Sequence, residues 1–104
     1  MIRVNYFRAG DEHKLAVTGH AGYAEHGRDI ICAGVSAISF ALLDYLQHTG
    51  CEIKEASAAD GEMRLICKGG ESVRAAYEMA VGGYRQIAEN YPQYVEIYIA
   101  ALGD

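Results

Sequence analysis

The chain has 104 residues, a net charge of −5, and 51% hydrophobic against 22% charged residues. That allows one domain with one core and excludes a disordered linker or tail. The acidic balance speaks against direct nucleic-acid binding, which needs clustered Lys and Arg, and suits a basic partner through faster encounter.

Residues 2–6 alternate apolar and polar, the period of a half-buried strand. Leu15, Val17 and Gly19 alternate with Lys14, Ala16 and Thr18 in a second strand. Residues 8–12 read as the turn of a hairpin between them, with Gly10-Asp11 supplying the unusual backbone angles. From Ile31 the period becomes helical. Ile31, Val35, Ile38, Leu42 and Leu46 form the core-facing stripe, and Cys32, Ser36, Ser39 and Leu43 an adjoining face. Asp29 is the natural N-cap. The helix ends near His48-Thr49-Gly50, with His48 at the negative end of the dipole and Gly50 as the stop.

Residues 52–54 and 62–68 are the next strands, with apolar Cys51, Ile53, Met63, Leu65 and Cys67 all odd-numbered. For both sets to share a face, directly opposed residues must have numbers of even sum. That favours a three-residue loop at 59–61, pairing Ile53 with Cys67 and Glu55 with Leu65, over a two-residue Asp60-Gly61 turn.

Residues 71–90 form the second helix, with Val73, Ala76, Tyr77, Ala80, Val81, Tyr84, Ile87 and Ala88 on one face. Gly82-Gly83 in its interior costs about 1 kcal/mol each relative to Ala, which predicts close approach by another element. Asn90-Tyr91-Pro92 ends the helix, and Val95, Ile97 and Ile99 alternate with Tyr94, Glu96 and Tyr98 in a last strand. The order ββαββαβ predicts an α+β fold: a mainly antiparallel five-stranded sheet with two helices packed on one face.

Residues 1–7 lack the apolar run of a signal peptide, and no segment is expected to approach the ~20 apolar residues that span a bilayer. The three cysteines are odd in number and lack the spacing of a disulfide framework, which predicts a reducing, cytoplasmic home.

The chemistry concentrates between the first hairpin and the first helix. With Asp29 as N-cap, Cys32 falls at the third helical position, where the partial positive charge of the helix terminus favours thiolate over thiol. His20 stands at the strand exit, and Gly19 with Ala21-Gly22 leaves room around it for a second molecule. A thiolate near an imidazole is the minimum equipment for nucleophilic acyl transfer. Cys51 and Cys67 sit at apolar strand positions and read as core. His26 reads as a solvated loop residue, His13 and His48 as surface or cap residues. His20, His26 and Cys32 lack metal-ligand spacing, so neither a metal nor a cofactor is expected. Ser36, one turn below the thiol, is either a small helix residue or a hydroxyl supporting thiolate or imidazole. Asp29 orients His20 only if the loop folds back.

The run Gly19-His20-Ala21, then Gly27-x-Asp29-Ile30-Ile31-Cys32-Ala33, then Val35-Ser36 resembles the ribosomal-processing cysteine proteases of Firmicutes and related bacteria. The resemblance covers the whole chain, with Gly34 where a small residue such as Ala is usual. It implies an endopeptidase that trims the N-terminal extension of the twenty-seventh large-subunit ribosomal protein, with His20 and Cys32 as catalytic residues, acting as a homodimer. In the mechanism it implies, His20 deprotonates Cys32 and backbone N–H groups at Cys32 and Ala33 meet the oxyanion. Gly22 and Gly27 let the 21–28 loop close over the peptide. Two other classes are weighed against it: a non-catalytic ribosome-assembly adaptor, indifferent to loss of the thiol, and a redox-responsive thiol protein, indifferent to any peptide.

Overall fold

The computed structural model describes residues 1–102. Its elements are β1 (Ile2–Ala9), β2 (Glu12–Thr18), α1 (Ile30–Thr49), β3 (Glu52–Ala59), β4 (Glu62–Lys68), α2 (Glu71–Asn90) and β5 (Val95–Leu102). The strands form one sheet in the order β3-β4-β2-β1-β5. Every neighbouring pair is antiparallel except β1 and β5, which run parallel. One face of this sheet is buried, by Ile2, Val4 and Tyr6 of β1, Leu15 and Val17 of β2, and Met63, Leu65 and Cys67 of β4. The alternate residues of these strands are exposed or only partly covered. Both helices therefore lie on the apolar side, as the strand periodicity requires.

The first hairpin closes more tightly than the 8–12 turn expected. Ala9 pairs with Glu12, leaving only Gly10 and Asp11 in the loop. Gly10 alone carries the positive φ, +61°, as a turn of the Gly-x type needs at its first central position. At the start of α1, Asp29 caps as predicted: its carboxylate accepts from the N–H groups of Ile31 and Cys32. Gly50, at φ +74°, ends the helix in the left-handed region, and His48 Nδ1 lies 2.7 Å from the Asp44 carbonyl in the last turn.

Four expectations need correction. The β3–β4 loop is the two-residue Asp60-Gly61 turn, with Ala59 opposite Glu62. Even-sum parity holds only along an uninterrupted ladder, and this one is interrupted. Ile53 does face Cys67, but Glu55 faces Ile66, so a bulge around Lys54 shifts the phase by one residue. Second, His13 is no surface residue. It is 1% exposed, its Nδ1 lies 2.7 Å from Tyr6 Oη, and its ring stacks on Tyr77 at a centroid distance of 4.7 Å. Burial, and then Arg8, lower its basicity, while burial raises the Tyr6 phenol. Both groups are therefore held neutral, and the phenol and the imidazole share one hydrogen bond whose donor is set by the tautomer of His13.

Third, Cys51 lies just ahead of β3 rather than in it, half-buried, its thiol donating to the Leu46 carbonyl at 3.4 Å. Fourth, α1 is 20 residues long with a mean hydropathy of 1.6, long and apolar enough to cross a membrane by length and composition. In this fold one stripe of it, Ile31, Val35, Leu42 and Leu46, is instead buried in the core.

The two helices meet where Gly34 and Ile38 of α1 face Ile87 and Gly83 of α2. Ile38 is only partly buried, whereas Ser39 on the adjoining face is buried. Its hydroxyl donates to the Val35 carbonyl at 2.7 Å, so the Tyr84 hydroxyl, 2.6 Å away, donates to Ser39. The glycine pair in α2 divides in two. A Cβ on Gly83 would stand 2.8 Å from Ile38 Cδ1, which is the close approach expected, whereas a Cβ on Gly82 would meet nothing within 4 Å.

Candidate active site

The exit of β2, the first turn of α1 and the β3–β4 turn converge on one open cavity of about 790 Å³. Backbone constraints bring them together. Gly19 holds φ +92°, and a Cβ there would collide with the Met1 carbonyl oxygen, so only glycine lets the chain leave β2 so close to the start of β1. Its N–H donates to the Gly61 carbonyl at 2.8 Å, which ties the β2 exit to the β3–β4 turn.

The cavity gathers most of the residues singled out in the sequence. Gly19, His20, Gly22, Gly27, Asp29, Cys32, Ala33 and Ser36 all line it. Ala21 is buried beneath, and its N–H donates to Cys32 Sγ at 3.4 Å. Gly22 and Gly27 hold positive φ, +69° and +86°, with open space where a side chain would begin. His26 is exposed in the same loop and also borders the cavity.

Asp29 organises this loop as well as the helix. Oδ1 accepts from Ile31 N and Cys32 N, both at 3.0 Å. Oδ2 accepts from Tyr23 N at 3.0 Å and Ala24 N at 3.4 Å. Burial by itself would raise the pKa of this carboxyl. The four N–H bonds, that of Cys32 foremost, outweigh burial and hold it below the usual carboxylate range. Tyr23 in turn packs edge-on against Tyr91 and Tyr94, at centroid distances of 5.9 and 5.3 Å.

Two expectations about the chemistry change. The N–H groups of Cys32 and Ala33 already donate to Asp29, to Oδ1 and to the backbone carbonyl at 3.0 Å each. They serve as the helix cap rather than as free oxyanion donors. Asp29 also has both oxygens committed to backbone, so it does not orient His20. Among the described residues the His20 ring makes no hydrogen bond to Cys32. Its Nε2 instead lies 3.9 Å from Asp60 Oδ2. Asp60 and Gly61 are part of the site that the sequence did not reveal, since only the folded sheet brings the 59–62 turn beside residue 20. Met63 and Phe40 form an apolar border to the cavity in the same way.

A cysteine in the first turn of a helix and a histidine open to one solvent-facing cleft define a protein of the thiol-hydrolase class. Comparison with known proteins gives the same class. The family model described as cysteine protease Prp matches residues 1–96. The chain is 26% identical over 83 residues to the ribosomal processing cysteine protease Prp of Mycoplasma pneumoniae, covering 80% of this chain and 83% of that one. Its fold is similar to that of SMU.848 from Streptococcus mutans, with a TM-score of 0.78, 31% identity, and coverage of 97% and 95% of the two chains. It is also similar to the ribosomal processing protease Prp of S. aureus, solved with a covalently linked product peptide, at a TM-score of 0.85, 21% identity, and coverage of 95% and 99%. The chain belongs to the cysteine protease Prp family. It is a cysteine-type endopeptidase.

Proposed function

We propose that this protein removes the N-terminal extension of the twenty-seventh large-subunit ribosomal protein, using Cys32 as nucleophile and His20 as general base and acid. The observation that carries the reading is that Cys32, third residue of α1, and His20, at the β2 exit, line the same open cavity in a chain of this family. A structural neighbour solved with a covalently linked product peptide supports it.

His20 takes the thiol proton and the Cys32 thiolate attacks the scissile carbonyl carbon. The N–H of Ala21, already aimed at the sulfur, is the donor within reach of the oxyanion that forms. The C–N bond breaks as His20 returns its proton to the leaving amine, and water then hydrolyses the thioester. In the peptide-free protein the ring and the thiol need not be bonded, because such contacts tighten in the complex. Closure of the 21–28 loop on its two left-handed glycines brings them together.

The same reading makes residues 1–104 a single protease domain working in the cytoplasm as a homodimer. An apolar groove between α1 and α2, rimmed by Tyr45 and Met79 at 44% and 80% exposed, supports a second copy as its cover. The net charge of −5 favours a basic partner protein over nucleic acid.

The test is incubation with the extended ribosomal protein of the same organism and identification of the new N-terminus by mass spectrometry. Wild type should release the extension, and Cys32→Ala should leave it intact while keeping a native circular-dichroism spectrum. Normal cleavage by Cys32→Ala would remove Cys32 from the mechanism.

A further inference from the structure

We propose that Asp60, in the β3–β4 turn, positions the His20 imidazole for its proton exchange with Cys32, so that the site draws on three segments rather than two. This rests on reading His20 and Cys32 as the catalytic pair.

Three independent contacts hold the turn against residue 20. Gly19 N–H donates to Gly61 O at 2.8 Å. The Asp60 carboxylate lies 3.9 Å from His20 Nε2. The Gly61 backbone, at φ +72°, faces the ring so closely that a Cβ there would stand 2.7 Å from Nε2. The imidazole therefore rests on the turn with its Nε2 edge toward the carboxylate. A carboxylate beside Nε2 favours the tautomer with its proton on that nitrogen, which leaves the Nδ1 lone pair to accept the thiol proton. When His20 becomes imidazolium, its Nε2–H meets a negative charge on the side away from the sulfur.

Among the described residues no other acid lining the cavity is placed for this. The Asp29 oxygens are taken by four backbone N–H groups, and Glu62 lines the cavity without an ion pair to His20. Asp-Gly is also a favoured turn pair for purely local reasons, and that reading predicts that Asn serves as well as Asp at position 60. His20 and Asp60 side chains are 54% and 77% exposed, so water screens the pair in the free protein. The carboxylate therefore acts on the ring already in the free protein, and more strongly once a peptide lying in the cavity displaces that water.

The experiment compares wild type with Asp60→Asn, Asp60→Ala and Asp60→Glu. Each full chain is assayed on a synthetic peptide spanning the processing site of the ribosomal protein, and separately for Cys32 alkylation by iodoacetamide without peptide. Asn and Ala should lower kcat by roughly 3- to 30-fold, far less than the loss in a fully buried triad, with KM within about twofold of wild type. Glu should recover most of that loss, and the thermal midpoints should coincide.

Unchanged kcat in Asp60→Asn overturns the proposal. A loss confined to KM does so too, by assigning Asp60 to substrate contact. If wild type fails to cleave the peptide, the protease reading of the pair falls, and alkylation still decides Asp60. Slower labelling of Cys32 in both Asp60→Ala and His20→Ala sustains the positioning role, and a wild-type rate in Asp60→Ala overturns it.

Discussion

Asp29 divides its two oxygens between two tasks, which makes it possible to remove one task at a time. Asp29→Ala deletes both. Loss of an N-cap costs about 1 kcal/mol within a range of roughly 0.5–2. The two bonds to Tyr23 and Ala24 add about 0.5–1 kcal/mol each, because those N–H groups partly regain water when the loop lifts. The total of about 2–3 kcal/mol should lower the thermal midpoint by roughly 10–20 °C for a domain of this size. Asp29→Asn separates the halves. Asn caps helices as well as Asp, so Ile31 and Cys32 keep their acceptor. Its –NH₂ replaces Oδ2 opposite the N–H donors of Tyr23 and Ala24, and donor then faces donor.

Thermal unfolding and amide exchange measured by NMR distinguish these states. Asp29→Asn should lose about 1–2 kcal/mol, with faster exchange at Tyr23 and Ala24 and unchanged exchange at Ile31 and Cys32. Asp29→Ala should accelerate all four. Since the folded Asp29 carboxyl titrates below its unfolded value of about 3.9, its stabilisation is complete above that pH and is lost as pH falls through the lower, folded value. Asp29→Asn should flatten that acid limb. Equal stability losses in the two variants, or unaltered loop exchange in Asp29→Asn, would refute the division of labour.

Three further outcomes follow from features of the core and site. His13 titrates below its unfolded value of about 6.5, so stability should begin to fall as pH drops below about 6.5, a limb that His13→Gln should remove in chemical-denaturation curves taken from pH 7 to 5. Gly82→Ala should stabilise by about 0.5–1 kcal/mol, whereas Gly83→Ala, whose Cβ would stand 2.8 Å from Ile38 Cδ1 and must displace it, should give a lower midpoint than Gly82→Ala in the same thermal scan. Iodoacetamide at neutral pH should label Cys32 before Cys67, which is fully buried with its thiol pushed up to about 11 by that burial; peptide mapping during the time course reads the order.

Where residues interact with their chain neighbours, the sequence was legible. The α1 start at Asp29, its stop at Gly50 and the whole of α2 and β4 are written in caps and local periodicity. The dense motif between residues 19 and 36 likewise marked one cavity, because a strand exit and a helix entrance a dozen residues apart must lie close in any compact arrangement. His13 carries a signal in the alternation, since it occupies the same odd positions as buried Leu15 and Val17, but histidine is a residue type less often buried than the aliphatics, and the two cues point opposite ways. The bulge near Lys54 carries no comparable mark, since the residue left unpaired is an ordinary lysine and only the fit of β3 to β4 selects it. Asp60 belongs to a different case again. Its importance depends on where β4 lies relative to β2, a pairing between strands separated by the whole of α1 and β3.

Strand β1 is paired on one side with its immediate successor β2 and on the other with β5, the last element of the chain. The antiparallel hairpin can form early, but its other edge, carrying Val4 and Tyr6, stays open until residues 95–102 arrive. Closing that loop brings together positions more than ninety residues apart, Ile2 with Val95, and parallel pairing at such separation is the slow kind. On a translating ribosome the nascent chain therefore holds an unfinished sheet with an apolar, hydrogen-bonding edge until β5 emerges. That interval is when it is most exposed to aggregation, and truncation before residue 95 prolongs it indefinitely.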